Sequence, residues 1–340
     1  MGKGSEGSEG KGREGGAVSG APPRRGGAGV AVAIAVVLII VVAGAAAFFL
    51  LSPGGPCGPL SYSVKDDRGK EVCLERTPSR IASIAPSTTE IVCVVGLCSK
   101  LVALDNLSDF PQEVKDSKAP RVYGFGWFDK EALKASRPDV VFASGVNAKD
   151  YSTIEDDLKM KLIVLDPQSL PTMMESVRIA GRAGKMEAKA DEVVKGLQQR
   201  IDAVKAKLDA ATNLSEPRVY HELDGSTGVF YSIGPGSFGD SLITLAGGKN
   251  IATGPGNPYP ALKSEDVVAG DPEMITCSAN QWYKCDPAEI GARPGWGNLS
   301  AVRSGKIINL DSDLIDRPGP RLVNGLEAMA KAIHPEIFGG

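Results

Sequence analysis

The chain has 340 residues, a formal net charge of -3 with 23% charged residues, and 42% hydrophobic residues. At roughly 100 to 200 residues per domain this length accommodates two lobes, and the hydrophobic share is that of a globular protein. With no basic surplus, nothing in the charge balance points to nucleic acid, and no nucleic-acid partner is expected.

Residues 1–29 are rich in Gly, Ser and charge with almost nothing apolar to bury, which predicts a disordered leader. Val30 to Leu51 then runs for 22 residues without a charge, enough for an N-terminal transmembrane helix across a hydrocarbon core of about 30 Å. Arg24 and Arg25 stand just before that run. The positive-inside rule therefore places the leader, 1–29, in the cytoplasm and everything after the anchor, 30–51, outside the cell or in the periplasm. A cleaved signal peptide is the competing reading, against which stand the long polar leader and the lack of a clean small-x-small site. The Pro/Gly-rich stretch 52–59 reads as a linker. Its Cys57 follows Gly-Gly-Pro, a poor context for lipid attachment.

Six cysteines suit an oxidising exterior, and proximity in sequence pairs Cys57 with Cys73, Cys93 with Cys98, and Cys277 with Cys285. With only two histidines, His221 and His334, and no CxxC or HxxxH, a dedicated metal site is not expected, nor any resident cofactor. Asn-Leu-Ser sequons at Asn106, Asn213 and Asn298 are compatible with an exterior location.

From Leu60 onward short apolar runs at Ile81 to Ala85, Leu101 to Leu104, Val140 to Ala143 and Leu162 to Leu165 alternate with helical patterns, which predicts an α/β N-terminal lobe over 60–170. Ser87, with Glu90 three residues later, reads as a helix N-cap and its capping-box partner, and Gly96 as the stop. Thr172 to Ala211 contains no proline and repeats apolar residues at helical spacing, so 171–211 reads as one long helix with a break near Gly184 as the only interruption foreseen. Beyond Pro217 the pattern resumes with Val219 to Leu223, Met274 to Thr276 and Ile307 to Leu310, a C-terminal lobe over 217–340.

An internal repeat links the lobes. Glu131, six residues, Pro138, an acid and two apolar residues in the first lobe match Glu265, six residues, Pro272, an acid and two apolar residues in the second. Asp129 and Ser264 read as caps of the short helices, and each Glu falls in a first turn, where the helix dipole favours negative charge. GPGSFG at 234–239 matches the dinucleotide pattern only superficially, because its proline restricts the backbone where it should wrap phosphate. No GxSxG or histidine-partnered nucleophile occurs, so no catalytic constellation emerges. Aromatic residues instead concentrate in Gly/Pro-rich connections, namely Phe125 and Trp127 in YGFGWF, Tyr231, Tyr259 and Trp282. Rings in loops suit a large, flat ligand held in a cleft.

RIASIAPSTTEIVCVVGL with LSDFP, the paired Glu/Pro segments, and RPGPRLVNGLEAMAKAIHPEIF together resemble the solute-binding proteins of ABC importers for cobalamin, ferric siderophores and haem. The resemblance implies two Rossmann-like lobes bridged by one long α-helix, with ligand between them. It implies docking of Glu131 and Glu265 on an ABC permease. For the ligand it implies Phe125, Tyr231, Tyr259, Asp313 and Arg317, while Leu107 and Ser144 stand where the cobalamin-binding member has aromatics. The expected function is capture of cobalamin, a ferric siderophore or haem by a membrane-anchored binding protein that performs no chemistry. The alternatives are a surface α/β enzyme, and a sensor or adhesion module that retains the fold.

Overall fold

The computed structural model describes residues 57–58, 60–254, 256–280 and 283–339. The leader, the predicted span Val30 to Leu51, most of the linker and Trp282 lie outside them. Among the described residues no helix is long and apolar enough to cross a membrane.

A hairpin, β1 (Tyr62–Lys65) and β2 (Glu71–Leu74), leads into the first lobe. Its turn is held by Asp66, which accepts the N–H groups of Arg68 and Lys70. The lobe then runs β3 (Ile81–Ser83), α1 (Pro86–Val92), β4 (Leu101–Asp105), β5 (Arg121–Gly124), β6 (Trp127–Phe128), α2 (Lys130–Ala135), β7 (Val140–Ala143) and β8 (Leu162–Val164). These strands form one sheet in the order β6-β5-β4-β3-β7-β8, parallel except for β6. Every residue of β3, β7 and β8 is buried, which explains their unbroken apolar sequences: a parallel sheet is covered on both faces.

The predicted cap of α1 is corrected. Pro86 opens the helix and Ala85 precedes it without a side-chain cap. Ser87 therefore lies inside the first turn, and Glu90 is committed to another partner described below. Gly96 does mark the stop, at φ 86°.

The long helical stretch expected over 171–211 is broken at the foreseen place near Gly184 into two helices, α3 (Leu170–Gly184) and α4 (Glu187–Ala210), separated by Lys185 in the left-handed region at φ 57°. Small residues make that elbow possible. A Cβ on Gly181 would lie 2.5 Å from that of Ala190, and one on Gly184 would come within 2.4 Å of Leu97. The α3 helix packs on the first lobe, while α4, 24 residues long, reaches the second.

The second lobe contains β9 (Arg218–Asp224), β10 (Phe230–Ser232), α5 (Phe238–Leu245), β11 (Lys249–Asn250), β12 (Ala261–Leu262), α6 (Ser264–Gly270), β13 (Met274–Ala279), β14 (Ile307–Asp311) and α7 (Leu322–Ile333). Its sheet runs β12-β10-β9-β13-β14, with β11 also paired to β9. GPGSFG leads into α5, capped by Ser237, whose hydroxyl accepts the Asp240 N–H. At α6 the expected Ser264 cap is replaced. Lys263 precedes the helix and donates its N–H to Asp266, while Ser264 lies inside the first turn and its hydroxyl accepts the indole N–H of Trp296. Asp129 caps α2 as its position implies, accepting the Ala132 N–H.

One continuous core joins the lobes through the helix pair. It includes Ile81 and Phe142 from the first sheet, Val177, Val194 and Leu197 from α3 and α4, and the α7 face of Leu322, Leu326, Met329 and Ile333. Arg200 of α4 grips Glu327 of α7 with two bonds of 2.8 and 2.6 Å. Disulfides join Cys57 to Cys73, Cys93 to Cys98 and Cys277 to Cys285.

Candidate functional site

Parallel strands leave their C-terminal ends in register, and the loops that follow them converge on one edge of the sheet. In the first lobe those loops wall a cavity of about 660 Å³: Ile84 to Ser87 after β3, Asp105 to Leu107 at β4, Tyr123 to Gly126 at β5, Ser144 to Lys149 after β7, and Asp166 after β8. The opposite wall is the second-lobe turn Asp316, Arg317 and Pro318, after β14. The cavity is therefore an inter-lobe cleft of a size that suits small-molecule and cofactor ligands, roughly 300–1,000 Å³.

The cleft surface is greasy where solvent reaches it. Phe125 is 99% exposed at the two-residue tip between β5 and β6, and Val146 is 77% exposed. Large apolar side chains held this far from any core mark a surface that expects a partner. Tyr123 beneath is fixed, donating its hydroxyl to Asp150 at 2.7 Å.

Charges around the cleft are mostly spoken for. Arg317 pairs with Asp313 at 2.8 Å and reaches across to Asp109 of the first lobe at 2.7 Å. Arg321 forms a two-pronged pair with Glu90, 3.0 and 2.7 Å, and its guanidinium lies over the Phe110 ring. The Glu90 side chain is only 2% exposed, so this ion pair is a buried bolt between α1 and the entry to α7. RPGPR is thus an inter-lobe clamp as well as a stiff turn, its backbone tightened by a Gly319 N–H bond to the Arg317 carbonyl at 2.7 Å.

Three carboxylates line the cavity. Asp105 is saturated by the Leu107 N–H and the Ser108 hydroxyl, and burial pushes its carboxyl up. Asp166 accepts the Gly145 N–H at 2.9 Å. Asp316 accepts the Ser278 hydroxyl at 2.8 Å. Although Asp316 reaches water within the cleft, the surrounding protein pushes its carboxyl up to about 6. Tyr259 feels both Asp316 and Asp166, and its phenol is pushed up, by burial first and then by those two charges.

Of the six residues expected at the ligand, Phe125 and Arg317 stand in the cavity wall. Tyr259 is half-exposed and near Asp316, Tyr231 is half-exposed on β10, and Asp313 acts through its bond to Arg317. Trp127 is half-exposed and is not among the cavity-wall residues, but its indole lies against Gly124 of that wall, where a Cβ would sit 2.3 Å from Nε1. Asp166, Asp316, Asn147, Lys149 and Val146 were not singled out from the sequence. Most of them follow the C-terminal end of a strand within a few residues, and that position is the signal that finds them. Glu131 and Glu265 are exposed in the first turns of α2 and α6, away from the cleft walls. Among the described residues neither has an ion-pair partner.

Two α/β lobes of this topology around an apolar cleft, tied by a helix pair, have the architecture of a solute-binding protein. Comparison with known proteins agrees: a periplasmic binding protein family model matches residues 81–314, and the chain belongs to that family. It is 27% identical over 280 residues to the uncharacterized ABC transporter substrate-binding lipoprotein YvrC of Bacillus subtilis, covering 81% of this chain and 86% of that one. It is 24% identical over 250 residues to the vitamin B12-binding protein of Vibrio parahaemolyticus, covering 73% and 86%. Among solved structures, a periplasmic heme binding protein from Pseudomonas aeruginosa shares the fold with a TM-score of 0.66 and 25% identity, covering 76% of this chain and 94% of that one. These relatives are named as binding proteins, and this chain is a binding protein rather than an enzyme. In this structure Cys57 is bonded to Cys73, so its sulfur is not free to carry a lipid.

Proposed function

We propose that the chain is the membrane-anchored, externally exposed binding protein of an ABC importer, which captures a metal-chelate nutrient, namely cobalamin, a ferric siderophore or haem, and delivers it to the permease. The observation that carries this reading is the cleft itself: an apolar cavity of about 660 Å³ between the lobes, roofed by a fully exposed Phe125 and floored by fixed polar groups. Rigid walls lower the ordering cost of binding a flat, bulky ligand. The inter-lobe ion pairs Glu90–Arg321 and Asp109–Arg317 tie those two walls to each other. The run Val30 to Leu51 supplies the anchor, and Glu131 and Glu265 supply one carboxylate on each lobe for basic residues of the permease. Exposed charges of this kind steer and register a partner more than they add affinity.

The test separates capture from delivery. Glu131→Ala combined with Glu265→Ala is expected to leave ligand affinity within twofold of wild type while uptake by intact cells falls at least tenfold. Wild-type uptake in the double variant refutes the docking role, and loss of binding refutes the separation of the two functions.

A further inference from the structure

The Asn-Leu-Ser sequons at Asn106, Asn213 and Asn298 are a motif that the binding function leaves unused, and the fold presents them in three different ways. The acceptor motif comprises the asparagine amide and the hydroxyl two residues on, so both must be reachable together. A sequon whose hydroxyl or backbone is committed elsewhere is a poor acceptor once the domain has folded.

Two of the three are committed. The Asn106 N–H is bound to the Tyr123 carbonyl at 2.7 Å, the Leu107 N–H to Asp105 at 2.8 Å, and the hydroxyl of buried Ser108 to both Asp105 and Thr89. Asn106 also stands in the cleft wall, where a glycan would fill the ligand space. Asn298 belongs to the tight turn Trp296–Asn298 and is followed by buried Leu299. Its Ser300 is held twice by Asp271, through the N–H at 2.8 Å and the hydroxyl at 2.9 Å.

Asn213 differs in each respect. It lies in loop 211–217 between α4 and β9, and both Asn213 and Ser215 are exposed. Among the described residues none forms a hydrogen bond with Asn213, Leu214 or Ser215. The loop is hydrogen-bonded at its two ends, by the Ala211 N–H on the Leu208 carbonyl at 3.1 Å and by the Lys249 N–H on the Pro217 carbonyl at 2.9 Å. A φ of 58° accounts for an asparagine at 213, because asparagine tolerates the left-handed region better than most residues. It does not account for the serine at 215. The loop also enters the N-terminal end of β9, whereas the cleft opens at the C-terminal ends of the parallel strands. Glu131 and Glu265 stand toward the cleft end too, since α2 and α6 begin there and run back to the starts of β7 and β13. Asn213 therefore faces neither the ligand nor those two carboxylates.

We propose that Asn213 is an N-glycosylation site filled on the folded domain, and that Asn106 and Asn298 stay bare. The donor is a lipid-phosphate-linked oligosaccharide. Asn213 Nδ2 forms a bond to the anomeric carbon, the bond from that carbon to the phosphate oxygen breaks, the lipid phosphate leaves with the electron pair, and the amide proton passes to a base of the transferase. A glycan at this position covers an untied loop, the kind of segment that proteases nick. The assignment rests on the external location proposed above, where such sequons are used.

The full-length protein is purified from the membranes of cells that make it naturally, digested, and its peptides mapped by tandem mass spectrometry. In parallel, intact cells are treated with a membrane-impermeant amine reagent, which reports whether the lobes lie outside. An oligosaccharide on Asn213 in most copies is expected, with Asn106 and Asn298 unmodified. Ser215→Ala, which keeps the turn and its asparagine, is expected to abolish the modification, and Ser215→Thr to retain it. Ligand affinity is expected to be the same in all three proteins, while cleavage of the loop by added protease is faster in Ser215→Ala. A bare Asn213 on lobes that the reagent labels overturns this assignment alone, and so does a glycan on Asn106 or Asn298. Lobes that the reagent does not reach overturn the external location, and this assignment with it.

Discussion

Replacing Glu90 by alanine tests whether the lobes are bolted together. The change strips Arg321 of both carboxylate bonds, 3.0 and 2.7 Å, and removes the charge 3.7 Å from Arg317. Leaving one member of a buried ion pair behind costs about 3–5 kcal/mol. The low end applies here, because the Arg321 side chain keeps 15% exposure and a carboxylate of Asp313 stands 3.6 Å away. Alanine is a good helix former, so α1 itself loses nothing. A loss of about 3 kcal/mol corresponds to a fall in Tm of about 6–12 °C at roughly 2–4 °C per kcal/mol. Urea unfolding of Glu90→Ala, Arg321→Ala and the double variant measures the coupling, expected at about 2 kcal/mol or more. Since Glu90 belongs to α1 and Arg321 to the entry of α7, that coupling reports the inter-lobe contact. A loss under about 1 kcal/mol, or an additive cycle, refutes the bolt. Glu90→Leu with Arg321→Met is expected to recover most of the loss, because an apolar pair of similar size replaces a desolvated one.

Phe125→Ala removes a side chain that touches no core, so stability is expected to stay within about 0.5 kcal/mol of wild type while affinity for a bound chelate falls tenfold or more. Unchanged affinity in titrations of the pure variant removes Phe125 from the site. His221 gives an acid-stability prediction. Its folded pKa, about 3, lies below the unfolded value of about 6.5, so the unfolded chain takes a proton that the native state refuses. That contribution is complete above pH 6.5 and is lost at up to about 1.4 kcal/mol per pH unit as pH falls toward 3. Asp316, raised to about 6, works in the opposite direction and favours the folded state as pH falls through 6. His221→Gln is accordingly expected to gain on wild type between pH 6.5 and 4.5 in urea-unfolding midpoints. Parallel curves for the two proteins across that window contradict the assignment of the buried neutral ring.

Much of the fold is legible in the sequence where one physical signal dominates. The buried parallel strands Val140–Ala143 and Leu162–Val164 read as apolar runs because both faces are covered. The α7 face reads as a 3.6-residue period because only one side is buried. Legibility fails where a local rule has a rival. Ser87 carries a capping signature, yet Pro86 at the first helical position opens the helix, and Glu90, its supposed partner, serves a contact 231 residues away. The break near Gly184 is legible, but Lys185 has no propensity for the left-handed region, so the angle of the elbow between α3 and α4 is set by the close packing of Gly181 and Gly184, which sequence spacing does not announce. The strands β6, β10 and β12 have two or three residues each and no period to detect. At the site, Phe125 stands in a Gly-rich loop that the sequence shows, whereas Asp313 and Arg317 are reached only through the family resemblance. Asp316 carries no such local signal, because its partner Ser278 sits on a strand of a sheet the sequence does not assemble.

The most direct measurement is an equilibrium titration of the full-length protein, in detergent, with cyanocobalamin, haemin and a ferric siderophore, read by calorimetry. The account predicts saturable one-to-one binding of one of the three at micromolar Kd or tighter, competed by no unchelated metal and weakened tenfold or more by Phe125→Ala. Absence of binding by all three probes, with the protein folded by its thermal melt, contradicts it.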